Sequence, residues 1–341
     1  MKSTRADTFV DGSLEVSLRE AGYVVIDLLG SSQLKTLTEI TERLYIDERH
    51  GFHASNLSAQ HGYRHSVYEE VGPILDAAAR ALFVDHHPFT ASLLMKWPDE
   101  DSAFNSHQDW TMVDETRFRT VNVWCPLVDT SSHNGALRVL PGSHKVLDAI
   151  RCSPMPPEGC ESPGWQVGWE EMVPVEVKAG QALVFDHSLL HSSGPNFSDS
   201  VRPAVAVAFK PKQASLYHWF LPDPSERTLE VMSVDSAFFA DVNIGSRPDY
   251  PVDHLDEFTW SDLTKQGLLE RCGATGRPQV DGEAEVDGEA EVDGEAQRVE
   301  SDRAPQGTSV ASVESQASAS TADHEVAKLS LVKRLRKRIG L

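Results

Sequence analysis

The chain has 341 residues, with 31 Lys and Arg against 52 Asp and Glu and a formal net charge of −21. At about 100–200 residues per domain this allows one large domain or two ordinary ones, and 40% hydrophobic residues supply enough apolar material for a core. The acidity argues against a nucleic-acid partner, which needs a basic face, and no apolar run approaches the ~20 residues of a transmembrane segment.

Residues 1–7 carry no apolar stretch of the secretory type, so a soluble, cytoplasmic protein is expected. Cys125, Cys152, Cys160 and Cys272 are widely spaced without a Cys-x-x-Cys pair, and are expected to be reduced.

In chain order, the β-branched run 22–29 predicts a strand. Ser32 then caps a helix that carries Leu34, Leu37, Ile40 and Leu44 on one face. Residues 47–75, including Arg49, His50, His53, His61, Tyr63, Arg64 and His65, read as polar, aromatic and non-periodic. Such a segment could cover the mouth of a site or be an ordinary surface loop. From about residue 90, short β-rich runs follow at 91–97, 119–128, 135–140, 173–177, 181–185 and 201–209. Many short strands without intervening long helices indicate an antiparallel sandwich or barrel. The Pro- and Gly-rich stretch 152–170 is long enough to be a lid or a substrate loop.

The charge divides the rest. Residues 273–323 carry −9, lack Phe, Trp, Tyr, Leu, Ile and Met, and repeat Val-Asp-Gly-Glu-Ala-Glu from Val280 and Val286. A segment with so little to bury is expected to be a disordered linker; its spacing does not resemble a calcium loop. Residues 324–341 carry +5, with Val326, Leu329, Val332, Leu335 and Ile339 at helical spacing. A basic amphipathic helix is expected there, able to contact an acidic partner or a membrane surface, or simply to be a solvated tail. Residues 1–272 keep −17 and form the body.

Fourteen histidines are present, and one group carries chemistry. On a strand, His107 and Asp109 would project from one face. His-x-Asp alone arises often by chance, but it gains weight from His191 at the end of a later strand. Two histidines and one carboxylate on one face of a metal leave open positions for a co-substrate and O₂. His187, at an even offset from His191, competes for the third position. Arg202, on an otherwise apolar strand, needs a partner, and a carboxylate offers a bidentate one. His144 reads as part of a structural turn.

These motifs resemble the phytanoyl-CoA dioxygenase family of Fe(II)/2-oxoglutarate oxygenases. The resemblance runs over about residues 20–212, through Ala21-Gly-Tyr-Val-Val-Ile, Ser106-His-Gln-Asp-Trp, Val121-Asn-Val-Trp-Cys-Pro, Asn134-Gly-Ala-Leu-Arg-Val-Leu-Pro-Gly-Ser-His, and His191-Ser-Ser-Gly-Pro-Asn to Arg202-Pro-Ala. It implies a mainly β fold with flanking helices, a double-stranded β-helix barrel of jelly-roll type. It implies His107, Asp109 and His191 as iron ligands and Arg202 as anchor of the distal carboxylate of 2-oxoglutarate. Gln108, Trp124 and Ser193 would lie around the co-substrate, with Lys96 and Asn122 as looser candidates. Trp124 and Asn122 share one face of their strand.

The implied chemistry couples the decarboxylation of 2-oxoglutarate to succinate and CO₂, with O₂ as oxidant, to oxidation of a small metabolite. Because Asp109 supplies a carboxylate ligand, hydroxylation, desaturation or ring formation is favoured over halogenation. A non-catalytic barrel working through its tail, and a metal isomerase or hydrolase, are the other readings. The second leaves Arg202 without a role.

Overall fold

The computed structural model describes residues 5–44, 50–153, 162–223, 225–242, 246–259 and 261–274. Asp11 accepts from the backbone N–H groups of Ser13 and Leu14 and starts α1 (Gly12–Ala21), which ends at Gly22 in the left-handed region at φ 87°. β1 (Tyr23–Asp27) follows, and then α2 (Ser31–Leu44), whose Leu37 and Ile40 are buried on the expected stripe. β2 (Phe52–Ala54) leads to α3 (His61–Ala79).

The central strands are β3 (His86–Lys96), β4 (Phe104–His107), β5 (Val121–Pro126), β6 (Leu137–Val139), β7 (Val173–Pro174), β8 (Gln181–Asp186), β9 (His191–Ser193) and β10 (Arg202–Pro211). Three more strands follow, β11 (Leu216–Phe220), β12 (Thr228–Val234) and β13 (His254–Glu257), with the short helix α4 (Phe238–Asp241) between β12 and β13 and α5 (Lys265–Arg271) after β13.

The strands make three antiparallel sheets, a six-stranded one in the order β1-β8-β5-β10-β3-β2, a four-stranded β4-β9-β6-β7, and β11-β12-β13. Strand alternation sorts the six-stranded sheet into two faces. Val121, Val123 and Cys125 of β5, Val184 of β8, and Val205 and Val207 of β10 pack with Leu18, Leu37, Val71 and Leu75 of the helices. The intervening Trp124, Leu183, Phe185, Ala204 and Ala206 form a second cluster with Val139 of β6, so the four-stranded sheet covers that face.

A closed barrel is not formed. No ladder joins the edges of the six- and four-stranded sheets among the described residues. Among the same residues no helix is long and apolar enough to cross a membrane. Cys125, Cys152 and Cys272 are free thiols, and Cys160 lies outside the described residues.

Three further expectations are corrected. Within 47–75 the chain forms β2 and most of α3, whose Val67, Val71, Leu75 and Ala79 recur every fourth residue into the core. His107 and Asp109 do not share one strand, because β4 ends at His107 and the Asp109 N–H is taken by the His187 carbonyl at 3.0 Å. The run 182–191 is broken after Asp186, whose carboxylate accepts from the Ser188 N–H at 2.9 Å and Oγ at 2.6 Å. His187 and His191 therefore lie on different segments. All but the first two residues of the acidic linker 273–323, the basic helix 324–341 and residues 154–161 of the suspected lid lie outside the described residues.

A buried charge cluster ties the N-terminal segment to the six-stranded sheet. Glu15 Oε2 accepts from the Thr8 and Phe9 N–H groups at 2.8 and 3.1 Å, and its Oε1 accepts from Arg119 at 2.8 Å. Arg5 and Arg119 each approach Asp186 Oδ2 at 3.3 Å. Burial pushes the Glu15 pKa up, but Arg119, the two backbone N–H groups and Arg19 outweigh it and hold the carboxyl below its ordinary range. A carboxyl with a depressed folded-state pKa contributes stability above its unfolded value, near 4.5, and loses it as pH falls through the folded value. Glu15→Gln is therefore expected to cost about 3–5 kcal/mol at pH 7 in urea unfolding. Below about pH 4.5 its deficit should shrink towards zero, and a pH-independent deficit would count against the clamp.

Candidate metal centre

β4 and β9 are neighbours, with His107 opposite His191 in the ladder. Their rings lie 4.1 Å apart between centroids. The His107 Nδ1 is 2.8 Å from the Asn105 carbonyl and the His191 Nδ1 3.0 Å from the Leu189 carbonyl. A carbonyl only accepts, so each Nδ1 carries the proton and each Nε2 presents a lone pair. Both Nε2 atoms stand 3.9 Å from Asp109 Oδ1. One donor atom from each of the three residues falls within 4.8 Å of the others. Phe104 and Phe185 pack edgewise or tilted on the two imidazoles at 4.6 and 4.7 Å.

The protonation states suit a cation. Burial, then the neighbouring His191, pushes the His107 pKa down to about 4, so its imidazole is neutral at pH 7. For Asp109 burial acts upward, but the three imidazoles and the Asn122 amide together hold it below the ordinary carboxylate value. The Asn122 Nδ2 donates to Asp109 Oδ2 at 3.2 Å. Two imidazoles and one carboxylate are a donor set for a borderline divalent metal such as iron.

On the same face of the six-stranded sheet, Arg202 pairs in register with Lys96. Arg202 is 1% exposed, yet its Nε and Nη1 have no partner. Its guanidinium carbon lies 5.3 Å from the centroid of the Trp124 ring, and burial pushes its pKa down to about 10. Lys96 Nζ donates to the Ser102 and Gly194 carbonyls at 2.6 and 2.7 Å. Burial and then the charge of Arg202 push its pKa down to about 6. A buried guanidinium with two unbonded nitrogens favours an anionic ligand, whose charge would also raise the lowered Lys96 pKa. Gly135, at φ 77°, makes room for this arrangement, since a Cβ there would press on the Lys96 side chain and the Gly194 carbonyl.

The structure thus brings together His107, Asp109, His191 and Asn122, and sets Arg202, Lys96 and Trp124 as a second group on the face of the six-stranded sheet that carries Asn122. Ser193 is buried on β9, two residues beyond His191. Gln108 turns aside, and its Nε2 donates to the Ser188 carbonyl at 2.6 Å. His144 sits in a turn with its Nε2 3.0 Å from the Arg19 carbonyl. His187 contributes no ligand atom to the group of three, but its buried Nε2 lies 4.0 Å from Asp109 Oδ2. Sequence reasoning missed Arg151, whose Nε donates to the Asp109 carbonyl at 2.8 Å while Glu115 holds its other nitrogens. An arginine in a loop 42 residues from its partner gives no short-range signal.

The family model "Phytanoyl-CoA dioxygenase (PhyH)" matches residues 18–204. A phytanoyl-CoA dioxygenase domain-containing protein 1 homolog of Dictyostelium discoideum is 32% identical over 109 residues, 30% of this chain and 39% of that protein. The dioxygenase cdmA of Talaromyces verruculosus is 29% identical over 169 residues, 47% of this chain and 53% of that one. The chain spans about half the length or less of these relatives. Among solved structures, the non-heme alpha ketoglutarate dependent epimerase SnoN from nogalamycin biosynthesis is 21% identical at a TM-score of 0.42, covering 60% of this chain and 84% of its own. The family match takes in more than half of the chain and contains all three clustered donors, so this protein belongs to the phytanoyl-CoA dioxygenase family.

Proposed function

We propose that the chain is an Fe(II)- and 2-oxoglutarate-dependent oxygenase that hydroxylates or otherwise oxidises a small metabolite, releasing succinate and CO₂. The observation that carries this is the pairing of two groups between the facing sheets. The His-Asp-His donor set bonds Asn122 of the six-stranded sheet, whose same face carries a buried guanidinium with two unpartnered nitrogens. The sheets packed face to face support reading the body as an open form of the double-stranded β-helix.

His107, Asp109 and His191 would hold the iron, and Arg202 would take the distal carboxylate of 2-oxoglutarate. When bound, iron with 2-oxoglutarate and O₂ supplies the oxidising power that breaks a substrate C–H bond. The protein's own contribution is positional. The Asn105 and Leu189 carbonyls fix the two imidazole tautomers, so the ligand lone pairs are aimed without reorganisation. Asn122 steadies the second carboxylate oxygen of Asp109, and Arg151 holds the backbone beneath it. Trp124 lies against the guanidinium of Arg202 and restricts water there.

Anaerobic titration of the chain with Fe(II) and 2-oxoglutarate tests this. A visible charge-transfer band should grow only when both are present and saturate near one equivalent of each. Succinate should then appear once O₂ and substrate are admitted. Absence of the band with both components in excess would refute the assignment and leave a non-catalytic fold.

A further inference from the structure

His187 is 1% exposed, and neither of its ring nitrogens has a hydrogen-bond partner. A bare polar group in the interior is costly and calls for a reason. Its Nε2 lies 4.0 Å from Asp109 Oδ2, about 1 Å beyond a hydrogen bond.

The backbone around it is fixed on both sides. The His187 N–H donates to the Thr120 carbonyl at 3.2 Å, and the His187 carbonyl accepts from the Asp109 N–H at 3.0 Å. One residue along, the Ser188 carbonyl accepts from Gln108 Nε2 at 2.6 Å, while the Asp186 carboxylate takes the Ser188 N–H and hydroxyl. Residues 108–109 and 187–188 are thus stitched together. The gap between the two side chains closes through their own torsions, with no movement of the chain. The Phe89 ring stands tilted beside the imidazole, 6.0 Å away between centroids.

The two oxygens of Asp109 face different groups. Oδ1 is the nearer one to both ligand imidazoles, at 3.9 Å from His107 Nε2 and from His191 Nε2. Oδ2 accepts from Asn122 Nδ2 at 3.2 Å and faces His187 Nε2. A carboxylate oxygen has two lone pairs, so the Asn122 amide leaves room for a second donor.

His187 is not prepared as a ligand in its own right. In His107 and His191 a backbone carbonyl fixes the proton on Nδ1, and metal-binding imidazoles almost always have such a partner. His187 has none, and it contributes no atom to the group of three. With no acceptor at Nδ1, the proton can sit on Nε2, where the carboxylate oxygen within reach is Asp109 Oδ2.

We infer that His187 is a positioning residue of the metal centre. On metal binding its Nε2–H closes on Asp109 Oδ2 and, with Asn122, holds that oxygen so that Oδ1 is presented to the metal. The inference rests on the assignment of His107, Asp109 and His191 as the metal ligands.

The test is an anaerobic Fe(II) titration of the full chain, read by competition with a chromophoric chelator, alongside melting curves of the metal-free protein. His187→Leu keeps the bulk of the ring without the donor, and should raise the Fe(II) Kd about 10–100-fold. Its metal-free melting temperature should hold or rise, because the nitrogens removed had no partner. His187→Gln places an amide N–H where Nε2 stood, and should bring the Fe(II) Kd back towards the wild-type value.

A His187→Leu chain that binds Fe(II) as tightly as wild type overturns the inference. So does a His187→Gln chain as weak as His187→Leu, or a metal-free His187→Leu chain that melts earlier than wild type, since either makes the ring a packing element. The two readings fail separately. A wild-type chain that binds no Fe(II) refutes the metal centre itself, whereas wild-type binding that His187→Leu leaves untouched refutes the role of His187 alone.

Discussion

Asp109→Ala is expected to lower Fe(II) affinity by at least the ~100-fold that loss of even an outer partner of a metal ligand can cost, and to abolish succinate formation. Asp109 is the one anion in the donor set, and the imidazoles carry no negative charge to offset that of a divalent metal. Its carboxylate stands within 4.0 Å of three imidazoles, His107, His187 and His191, and bonds Asn122. The Asp109 backbone N–H and carbonyl are bound by His187 and Arg151 whatever the side chain. The local fold should therefore survive, and the far-UV circular dichroism should be unchanged. Full activity in Asp109→Ala would eliminate the proposed ligand set outright.

Arg202→Met is expected to separate binding from stability. Without the guanidinium, the distal carboxylate of 2-oxoglutarate meets no fixed partner. Truncating one member of a buried charge pair costs about 2–5 kcal/mol, a rise in Kd of about thirtyfold or more. The effect on the ligand-free chain should run the other way. Its Nε and Nη1 are already unpartnered, so an apolar replacement of similar length removes an uncompensated buried cation. The melting temperature should hold or rise. Fe(II) affinity in the absence of 2-oxoglutarate should be close to wild type. Removing this positive neighbour also lets the Lys96 pKa climb from its depressed value near 6. A variant that melted earlier and bound 2-oxoglutarate normally would show Arg202 to be a structural residue.

The sequence revealed the strands best where alternation was strict. In Val121–Pro126 the odd positions carry Val, Val and Cys while Asn122 and Trp124 take the other face, and the structure separates them in that way. The helix α3 was hidden for a physical reason. Its core residues begin at Val67, whereas the half before them is polar because it anchors another element. Arg64 donates to the Ala240 and Asp241 carbonyls at 2.9 Å, and His61 bonds the Asp241 carboxylate at 2.8 Å.

Strand reasoning also assigned the spacing of His107 and Asp109 to the wrong cause. The two are brought together by a chain that leaves the ladder and is caught by His187 and Arg151, partners 78 and 42 residues away in sequence. Such contacts exist only once the sheets have packed.

The two-faced sheet has a consequence for how this protein can change. Along β5 and β10, neighbouring residues answer to different demands, one to the helices and the next to the ligands. A substitution scan through Val121–Pro126 should read as a comb. Val121, Val123 and Cys125 would move melting temperature with ligand affinities intact, Asn122 would move affinities with little thermal cost, and Trp124, buried in the second cluster, would move both. Adaptation to a new metabolite and adaptation to a new temperature could then proceed on separate teeth of the same strand, one residue apart.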